Sequence, residues 1–206
     1  MPFFLPPPQP VAQLSQQVQV GDVVFIRVPA RPFREVADAT LSWTNHVGVV
    51  VAQGGADPVV AESTFPFSRF TTLSQFVARS EGHRLAVARL TAPLTPVQRQ
   101  ALYVAARERT GVLYDTGFNL RSGRQFCSKY VREVVAQATG QQLGEVENFS
   151  TLLAHNPNVN LRFWQVWYFG RIPWQRETVS PASLLQSPRL QTVFDGVVTT
   201  GPATTG

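Results

Sequence analysis

The fold is decided by the stretch Arg124-Gln-Phe-Cys-Ser-Lys-Tyr-Val-Arg-Glu-Val-Val135, which contains Cys127, the only cysteine in the 206-residue chain. The apolar residues that follow this cysteine recur at helical spacing, so the pattern predicts a helix from Cys127 to about Thr139, ended by Gly140. A thiol in the first turn of a helix lies near the positive end of the helix dipole, which favours the thiolate. Cys127 is therefore a candidate nucleophile, although a lone cysteine is also often a small buried core residue.

A histidine far upstream is the candidate base for this thiol. His46 lies in Asn45-His-Val-Gly-Val-Val-Val51, whose β-branched residues predict a strand. Nucleophilic acyl chemistry needs a thiolate, an imidazole that moves the proton and a third group that orients the imidazole. The other two histidines, His83 and His155, fall in a predicted turn and at a predicted helix end. His46 is thus the best candidate, and a structural core histidine is the alternative interpretation.

Glu62 is the candidate for the third group. It is the only charged residue in Val59-Val-Ala-Glu-Ser63, a predicted strand that turns back beside the His46 strand through residues 53–58. Neighbouring side chains on paired strands come within about 5 Å of each other, which would bring Glu62 to His46. A solubility charge on an edge strand is the alternative interpretation.

Tyr114 precedes Cys127 by a short loop and is a candidate residue for stabilising the oxyanion or binding the substrate. Its hydroxyl would act beside the backbone N–H of Cys127. A core tyrosine with a satisfied hydroxyl is the alternative. The chain has no Gly-x-Ser-x-Gly, His-Glu-x-x-His, Cys-x-x-Cys, phosphate-loop or Gly-x-Gly-x-x-Gly motif. We therefore expect neither a metal nor a cofactor.

The composition is that of a globular protein with a basic surface. Charged residues make up 15% of the chain and the formal net charge is +5, nearly all of the excess being arginine because Lys129 is the only lysine. The arginines are scattered rather than clustered, so we expect no nucleic-acid partner. The N-terminal sequence has no secretory signal, and no apolar run approaches the roughly 20 residues of a transmembrane helix. The expected location is the cytoplasm, with non-classical export as the alternative, and the oligomeric state stays open.

The order of the predicted elements indicates one α+β domain. Residues 1–18, rich in Pro and Gln, are predicted to form an irregular arm, and residues 191–206 a disordered tail, around a folded domain at 19–190. The predicted helices cover residues 33–42, 71–79, 95–109, 127–139 and 149–155. The predicted strands cover residues 23–28, 46–52, 59–63, 84–90 and, on aromatic content, 161–169.

Four segments, in this order, resemble the NlpC-like papain-fold hydrolases: Gly21-Asp-Val-Val-Phe25, Asn45-His-Val-Gly-Val-Val50, Val60-Ala-Glu-Ser63 and Phe126-Cys-Ser-Lys-Tyr130. The His strand precedes the Cys helix, whereas the familiar members have the reverse order. The chain therefore resembles the circularly permuted branch that contains the YebB- and YiiX-like proteins and the lecithin-retinol acyltransferases. The similarity to bacterial YebB-like proteins is close over about residues 18–190 and includes Thr71-Thr-Leu-Ser, Ser150-Thr-Leu-Leu and Ile172-Pro-Trp.

This resemblance implies a circularly permuted papain-like hydrolase domain at residues 19–190, with the Cys-bearing helix packed on a small antiparallel sheet or barrel. It also implies that Cys127 is the nucleophile, His46 the general base and then acid, and Glu62 the orienting residue. It implies no single substrate, since relatives act on cell-wall peptides, amides or lipid esters.

The leading hypothesis is a cysteine amidase or peptidase that acts through an acyl-thioester, on cell-wall-type peptides or other amides. A lipid esterase or acyltransferase with the same three residues is the second hypothesis, motivated by the aromatic segment at residues 163–174. That segment is alternatively part of the core. A non-enzymatic basic binding module is the third.

Overall fold

A seven-stranded sheet forms the centre of the protein in a computed structural model that describes residues 7–199. The strand order is β1-β9-β6-β2-β3-β4-β5, and every neighbouring pair is antiparallel except β1 with β9. Two further strands, β7 and β8, form a separate two-stranded ribbon. The strands are β1 (Gln9–Pro10), β2 (Val23–Ile26), β3 (His46–Ala52), β4 (Val59–Ser63), β5 (Ser68–Thr72), β6 (Arg84–Leu90), β7 (Glu147–Asn148), β8 (Glu177–Thr178) and β9 (Leu190–Thr199).

The helices of residues 7–199 are α1 (Val11–Ser15), α2 (Arg31–Ala39), α3 (Leu73–Ala78), α4 (Pro96–Glu108), α5 (Cys127–Thr139), α6 (Phe149–Ala154), α7 (Leu161–Trp167) and α8 (Pro181–Leu185). The ends of the two longest helices follow from local chemistry. Thr95 and Gln98 form a capping box before α4, with Pro96 at the first helical position. Gly140 ends α5 at φ 74°, a left-handed conformation that glycine adopts without strain.

The sheet lies between two apolar layers. Helices α4 and α5 cover one face, where Leu102 and Val131 pack in the larger hydrophobic cluster and the Tyr130 hydroxyl donates to the Ala106 carbonyl at 3.1 Å. Helices α1 and α3 cover the other face, where Leu14 and Phe76 belong to the second cluster. Strand residues alternate between the two clusters, as the two-residue period of a strand requires. The predicted α+β class is confirmed. Helix α5 packs directly against strand β3 of the sheet.

The N-terminal end of the chain differs from the predicted irregular arm. Residues 9–15 form β1 and α1, and Val11 and Leu14 are buried in the second cluster. The prediction of an irregular arm over residues 1–18 is therefore wrong for residues 9–15, since a helix this short gains its stability from packing rather than from its own propensity. Residues 1–6 lie outside the described residues.

The C-terminal end differs in the same way. Strand β9 pairs with β6 on one side and β1 on the other, so it is an interior strand of the sheet. The prediction of a disordered tail over residues 191–206 is wrong for residues 191–199. Pairing with an already formed sheet stabilises this Thr-, Val- and Gly-containing segment, whereas its composition alone resembles that of a disordered chain. Residues 200–206 lie outside the described residues.

The aromatic segment predicted as a strand at residues 161–169 is mostly the helix α7. Asn160 caps it by accepting a hydrogen bond from the Phe163 backbone N–H at 3.0 Å. Phe163 stacks on Trp167 and Trp164 stacks on Tyr168, each pair being four residues apart on one helix face. The prediction was wrong because it followed the strand preference of aromatic residues, while the helix is stabilised by these side-chain pairs and its cap.

Candidate active site

Three residues predicted from the sequence meet at one end of the sheet. His46 is the first residue of β3, Glu62 lies on the adjacent strand β4, and Cys127 is the first residue of α5, which packs on both strands. The Cys127 Sγ lies 4.0 Å from the carbonyl oxygen of Asn45, the residue just before His46. All three side chains are buried. The fold thus places the thiol, the imidazole and the carboxylate in one buried cluster.

His46 and Glu62 are joined directly. The His46 Nε2 donates to the Glu62 Oε2 at 2.6 Å. Strand β3 faces β4 with Val49 opposite Ala61, so His46 is a diagonal rather than a direct cross-strand neighbour of Glu62. Long side chains reach across this diagonal, which is why the pair still forms a short hydrogen bond.

Glu62 also binds two arginines that the sequence analysis did not identify. The Arg79 Nη2 lies 2.7 Å from each carboxylate oxygen of Glu62, and the Arg69 Nε lies 3.2 Å from Oε1. Arg69 is directly opposite Glu62 in the β4–β5 register, and β5 was not predicted. Arg79 follows the last residue of α3. Only the tertiary packing of α3 on β4 brings it to Glu62.

The charges of His46 and Glu62 stabilise each other. Burial raises the pKa of Glu62, but the hydrogen bond and charge of His46, followed by Arg79, lower it to about 2. Burial lowers the pKa of His46, but the interactions with Cys127 and Glu62 outweigh it and raise that pKa to about 9. At neutral pH the pair is therefore an imidazolium and a carboxylate. The Nε2 atom of His46 is bound to Glu62, whereas its Nδ1 has no hydrogen-bond partner among residues 7–199.

Tyr114 and Cys127 line the same small pocket. Its side chain is buried, and its hydroxyl has no hydrogen-bond partner within the described part of the chain. Burial, followed by the nearby charge of Cys127, raises the pKa of this hydroxyl well above its ordinary value, so Tyr114 stays protonated. It is therefore a protonated hydroxyl donor next to the thiol.

The loop that leads into α5 is held by Lys129. The buried Lys129 Nζ donates to the carbonyls of Ser122 at 2.5 Å and Arg124 at 2.9 Å. Phe126 is the N-cap residue of α5 and supplies no side-chain cap. The backbone N–H groups of the first turn thus begin at Cys127 without a side-chain acceptor from the N-cap position, the arrangement in which a helix start can bind an anion.

A small pocket of about 20 Å³, room for about one water molecule, lies beside Cys127. Its walls come from α2, α6 and α7, from the loop before the Cys-bearing helix and the first turn of that helix, and from β8 and the start of α8. Its aromatic lining consists of Phe33, Tyr114, Phe118, Phe126, Phe149 and Trp164. The aromatic segment at residues 163–174 therefore fits both interpretations made from the sequence, core and substrate site. Its Trp164 is a buried core residue and also lines this pocket.

Residues 7–199 contain no candidate metal site and no candidate transmembrane helix. No group of three or more His, Cys, Asp or Glu side chains in that range is arranged to hold a metal ion. None of the helices there has the length and apolar character needed to cross a membrane.

Comparison with known proteins shows which family the chain belongs to. The family model described as permuted papain-like amidase enzyme, YaeF/YiiX, C92 family, matches residues 17–194. The uncharacterized protein YiiX of Escherichia coli (strain K12) is 29% identical over 183 residues, which are 89% of this chain and 89% of that protein. The crystal structure of a protein named metalloprotein YiiX, from Escherichia coli O157:H7, superposes with a TM-score of 0.80 at 29% identity, covering 88% of this chain and 99% of that one.

The permuted order expected from the sequence, with the histidine strand before the cysteine helix, is therefore confirmed by the matching family and by the matching fold. With its family model matched over residues 17–194, the chain belongs to the permuted papain-like amidases of the YaeF/YiiX, C92 family, and it is a cysteine hydrolase of the amidase or peptidase type.

Proposed function

We propose that the protein hydrolyses an amide bond with Cys127 as nucleophile, His46 as proton donor and acceptor, and Glu62 as the residue that orients His46. The observation that carries this proposal is the buried 2.6 Å hydrogen bond between His46 and Glu62 beside a cysteine at a helix start. An imidazolium and a helix N-terminus both favour the anionic, nucleophilic form of a nearby thiol. The substrates that fit are cell-wall-type peptides and other amides.

The first half of the reaction forms an acyl-thioester. The Cys127 sulfur attacks the carbonyl carbon, a C–S bond forms, and the carbonyl π electrons move to oxygen. The backbone N–H groups at the start of α5 and the Tyr114 hydroxyl are the donors for this oxyanion. His46 gives its proton to the amide nitrogen, the C–N bond breaks, and the amine leaves.

The second half of the reaction hydrolyses the thioester and releases the carboxylic acid product. His46, now neutral, takes a proton from water, and the resulting hydroxide attacks the thioester carbon. The C–S bond breaks and the sulfur leaves as thiolate, which restores the imidazolium and thiolate together. Glu62, held by Arg79 and Arg69, keeps the ring in place during both halves.

The second candidate function uses the same residues on an ester or for acyl transfer. The aromatic lining of the small pocket beside Cys127 is the specific observation that favours it, because apolar side chains around the thiol suit an apolar acyl group better than a charged one. The third hypothesis, a non-enzymatic binding module, loses its support because the family is one of enzymes. Cytoplasmic location stays a prediction from the sequence.

Trapping the acyl-enzyme tests the proposal. The full chain is mixed with a p-nitrophenyl ester and examined by intact-mass spectrometry, and turnover is followed with the matching p-nitroanilide. We expect the mass of one acyl group on Cys127, no adduct on Cys127→Ala, and a loss of turnover of at least a hundredfold in His46→Ala. His155→Ala is the matched control and should keep wild-type turnover. Full turnover by Cys127→Ala would contradict the proposal.

A further inference from the structure

Arg79 and His46 bind the same oxygen atom of Glu62. The Arg79 Nη2 lies 2.7 Å from the Glu62 Oε2, and the His46 Nε2 lies 2.6 Å from that atom. The same Nη2 also lies 2.7 Å from Oε1, so the guanidinium contacts both oxygens of the carboxylate. Two cations therefore share one buried negative charge, and they compete for it.

The end of α3 places Arg79 at this oxygen. Arg79 directly follows Ala78, the last residue of α3, and Phe76 lies three residues earlier, which is the spacing of neighbours on a helix surface. The centroid of the Phe76 ring lies 5.2 Å from the Arg79 guanidinium carbon and 5.6 Å from the centroid of the His46 ring. Phe76 and Glu62 are fully buried, so little water screens the charges that meet here.

Arg79 holds Glu62 more closely than Arg69 does. Arg69 donates one hydrogen bond to the carboxylate, at 3.2 Å, and its side chain is 45% exposed. Arg79 contacts both carboxylate oxygens at 2.7 Å, and its side chain is 27% exposed. Charges that are closer together and less exposed to water interact more strongly. Of the two arginines, Arg79 therefore has the larger effect on Glu62.

A fixed positive charge makes nearby titrating groups release their protons more easily. Burial raises the pKa of Glu62, but His46, followed by Arg79, lowers it to about 2. For His46 the guanidinium opposes the imidazolium, because an oxygen that also binds Arg79 attracts the imidazole proton less. A general acid and base works best with a pKa near the pH of the reaction. The pKa of His46, raised to about 9, lies above neutral pH, so a charge that opposes the imidazolium brings His46 closer to that condition.

The other groups around the pair do not replace Arg79 in this role. Besides Arg79, the titratable or charged side chains that interact with His46 or Glu62 within residues 7–199 are Cys127 and Tyr130 on α5 and Arg69 on β5. Cys127 favours the imidazolium. Burial raises the pKa of Tyr130 above its ordinary value, so this hydroxyl stays neutral. Arg69 acts in the same direction as Arg79, but from a more exposed position.

We propose that Arg79 is a positioning residue for the hydrolysis: by binding Glu62 it weakens the hold of the carboxylate on the His46 proton, so that His46 gives this proton up more readily. The proton passes from the imidazolium to the amide nitrogen as the C–N bond breaks. The inference rests on the proposed function, and it adds a residue that acts on the proton donor rather than on the substrate.

The titration of His46, followed by NMR on the full chain, tests this role. In the wild type the pKa of His46 should be about 9. In Arg79→Gln it should rise by about one pH unit, at the low end of the effect of a neighbouring charge, and Arg79→Lys should restore the wild-type value. If Arg79 only kept Glu62 in place, its loss would instead lower this pKa, as Glu62→Gln does. An unchanged or lower pKa in Arg79→Gln therefore overturns the proposal.

A second neutral variant covers the case in which Arg79→Gln does not fold. Arg79→Met keeps an apolar stem beside the Phe76 ring, where the stem of the arginine packs in the wild type. It should raise the pKa of His46 as Arg79→Gln does. Urea unfolding shows that the variant is folded, and a folded Arg79→Met with the wild-type pKa of His46 contradicts the proposal.

Arg84 supplies the matched control. Its guanidinium also makes two hydrogen bonds to one carboxylate, that of Asp195, and it lies 4.1 Å from the centroid of the Trp43 ring. Its side chain is 31% exposed, close to the value for Arg79. Arg84→Gln removes an ion pair that does not involve Glu62 and should leave the pKa of His46 in place. An equal rise in both variants would assign the effect to net charge and overturn the role of Arg79.

A double variant tests whether Arg79 acts through Glu62. The guanidinium is partly exposed, and among residues 7–199 Glu62 is the one side chain that it hydrogen-bonds, so without the carboxylate nothing holds it near His46. The pKa of His46 in Glu62→Gln should therefore stay the same when Arg79→Gln is added. A rise of a full pH unit in the double variant would mean that Arg79 acts on His46 directly, which contradicts the proposed route.

Kinetics with the p-nitroanilide give a second readout. Because a tighter hold on the proton makes His46 a weaker acid, kcat of Arg79→Gln at pH 7 should fall at least about threefold. The alkaline limb of its profile should move to higher pH, opposite to that of Glu62→Gln, and Arg79→Lys should restore both. KM should stay within about twofold of the wild type, since the residue acts on proton transfer. A raised KM with unchanged kcat would assign Arg79 to substrate binding and overturn the proposal.

Alkylation by iodoacetamide separates failure of this inference from failure of the proposed function. If His46→Ala slows the alkylation of Cys127 while Arg79→Gln leaves the pKa of His46 unchanged, the role of Arg79 is rejected and the proposed function stands. If His46→Ala changes neither alkylation nor turnover, the proposed function is rejected, and the role of Arg79 in the hydrolysis with it.

Discussion

Glu62 is the residue on which the charge state of the site depends. It is buried, yet it faces the His46 imidazole and the Arg79 and Arg69 guanidinium groups, so its negative charge is matched on three sides. A buried carboxylate without such partners would take up a proton, since burial raises its pKa. The two arginines therefore matter to His46 through Glu62.

Replacing Glu62 with Gln should move the pH dependence of kcat. The imidazolium is present below the pKa of His46, so the wild type should keep its proton donor until the pH rises through about 9. Without the carboxylate this pKa falls towards its ordinary value of 6.5, and the alkaline limb of the profile should move to lower pH. Rates with a p-nitroanilide from pH 5 to 10 measure this shift.

A second carboxylate–histidine pair in the chain supplies a control for Glu62→Gln. Glu147 and His155 form a second carboxylate–histidine pair at 2.7 Å, and His155 is exposed there. Glu147→Gln should leave the alkaline limb in place. An unchanged limb in Glu62→Gln would show that the buried pair does not set the proton donor.

The same pair should make the stability of the fold depend on pH. His46 has a raised pKa, so its contribution is complete below 6.5 and is lost as the pH rises through about 9. Glu62 has a lowered pKa, so its contribution is complete above 4.5 and is lost as the pH falls through about 2. The free energy of unfolding of the wild type relative to His46→Gln should therefore be greatest between pH 4.5 and 6.5. Urea titrations at pH 5.5 and 9.5 check this, and a difference that is equal at both values would contradict it.

At the residue scale, the sequence indicated the residues of the buried cluster, but it did not indicate the two arginines that bind Glu62. Cys127 and His46 stand out because a unique thiol begins a predicted helix and a histidine begins a predicted strand. Arg79 and Arg69 do not stand out among so many scattered arginines. Their contact with Glu62 exists only after α3 and β5 have packed, which no local pattern encodes.

At the scale of elements, strand β3, which begins with His46, has one position, Gly48, where the packing leaves room only for glycine. A Cβ at Gly48 would lie 2.6 Å from the Val60 Cγ1 and 3.1 Å from the Phe76 ring, and both of these side chains are fully buried in the second cluster. Strand β3 therefore carries a glycine between apolar residues, where β propensity alone would favour a larger one.

Gly48→Ala should destabilise the fold by about 1–3 kcal/mol, because the added methyl group overpacks the core. It should also slow the alkylation of Cys127, since His46 lies two residues away on the same strand. Urea unfolding and iodoacetamide kinetics measure the two effects. At Gly123 a Cβ would meet no atom within 4 Å, so Gly123→Ala is the control and should change neither. An equal change in both variants would mean that Gly48 has no special role.

Elements with strong local signals were predictable and elements made by pairing were not. Helices α4 and α5 carry Thr95-Pro96 and Gly140, which mark their ends by backbone chemistry alone. Strands β5 and β9 have no comparable signal, because their hydrogen bonds come from β4 and from β6 and β1. Helix α7 was mistaken for a strand because its aromatic residues pair along a helix as readily as they pack on a sheet.

At the scale of the molecule, β9 joins the end of the described chain to its beginning. It pairs with β1 on one side and β6 on the other, and its Val198 is buried in the second cluster together with Leu14 of α1. The strand that closes the gap between β6 and β1 therefore runs past residue 194, where the family match ends.

Hydrogen exchange should show this closure directly. Backbone amides of residues 190–199 that bond to β6 should exchange as slowly as those of β6 itself, because both open only with the whole sheet. Exchange of residues 190–199 at the rate of an unstructured peptide, while β6 stays protected, would contradict the sheet order described here. The α+β class and the permuted order were predictable from the sequence of motifs, but this closure was not.

The central claim, that Cys127 is a nucleophile activated by His46, is tested most directly by its rate of alkylation with iodoacetamide near pH 7. The wild type should react at least tenfold faster than a free model thiol such as glutathione, since only the thiolate reacts. His46→Ala should fall to about the rate of the free thiol, and His155→Ala should match the wild type. If Cys127 reacts no faster than glutathione and His46→Ala makes no difference, the claim is wrong.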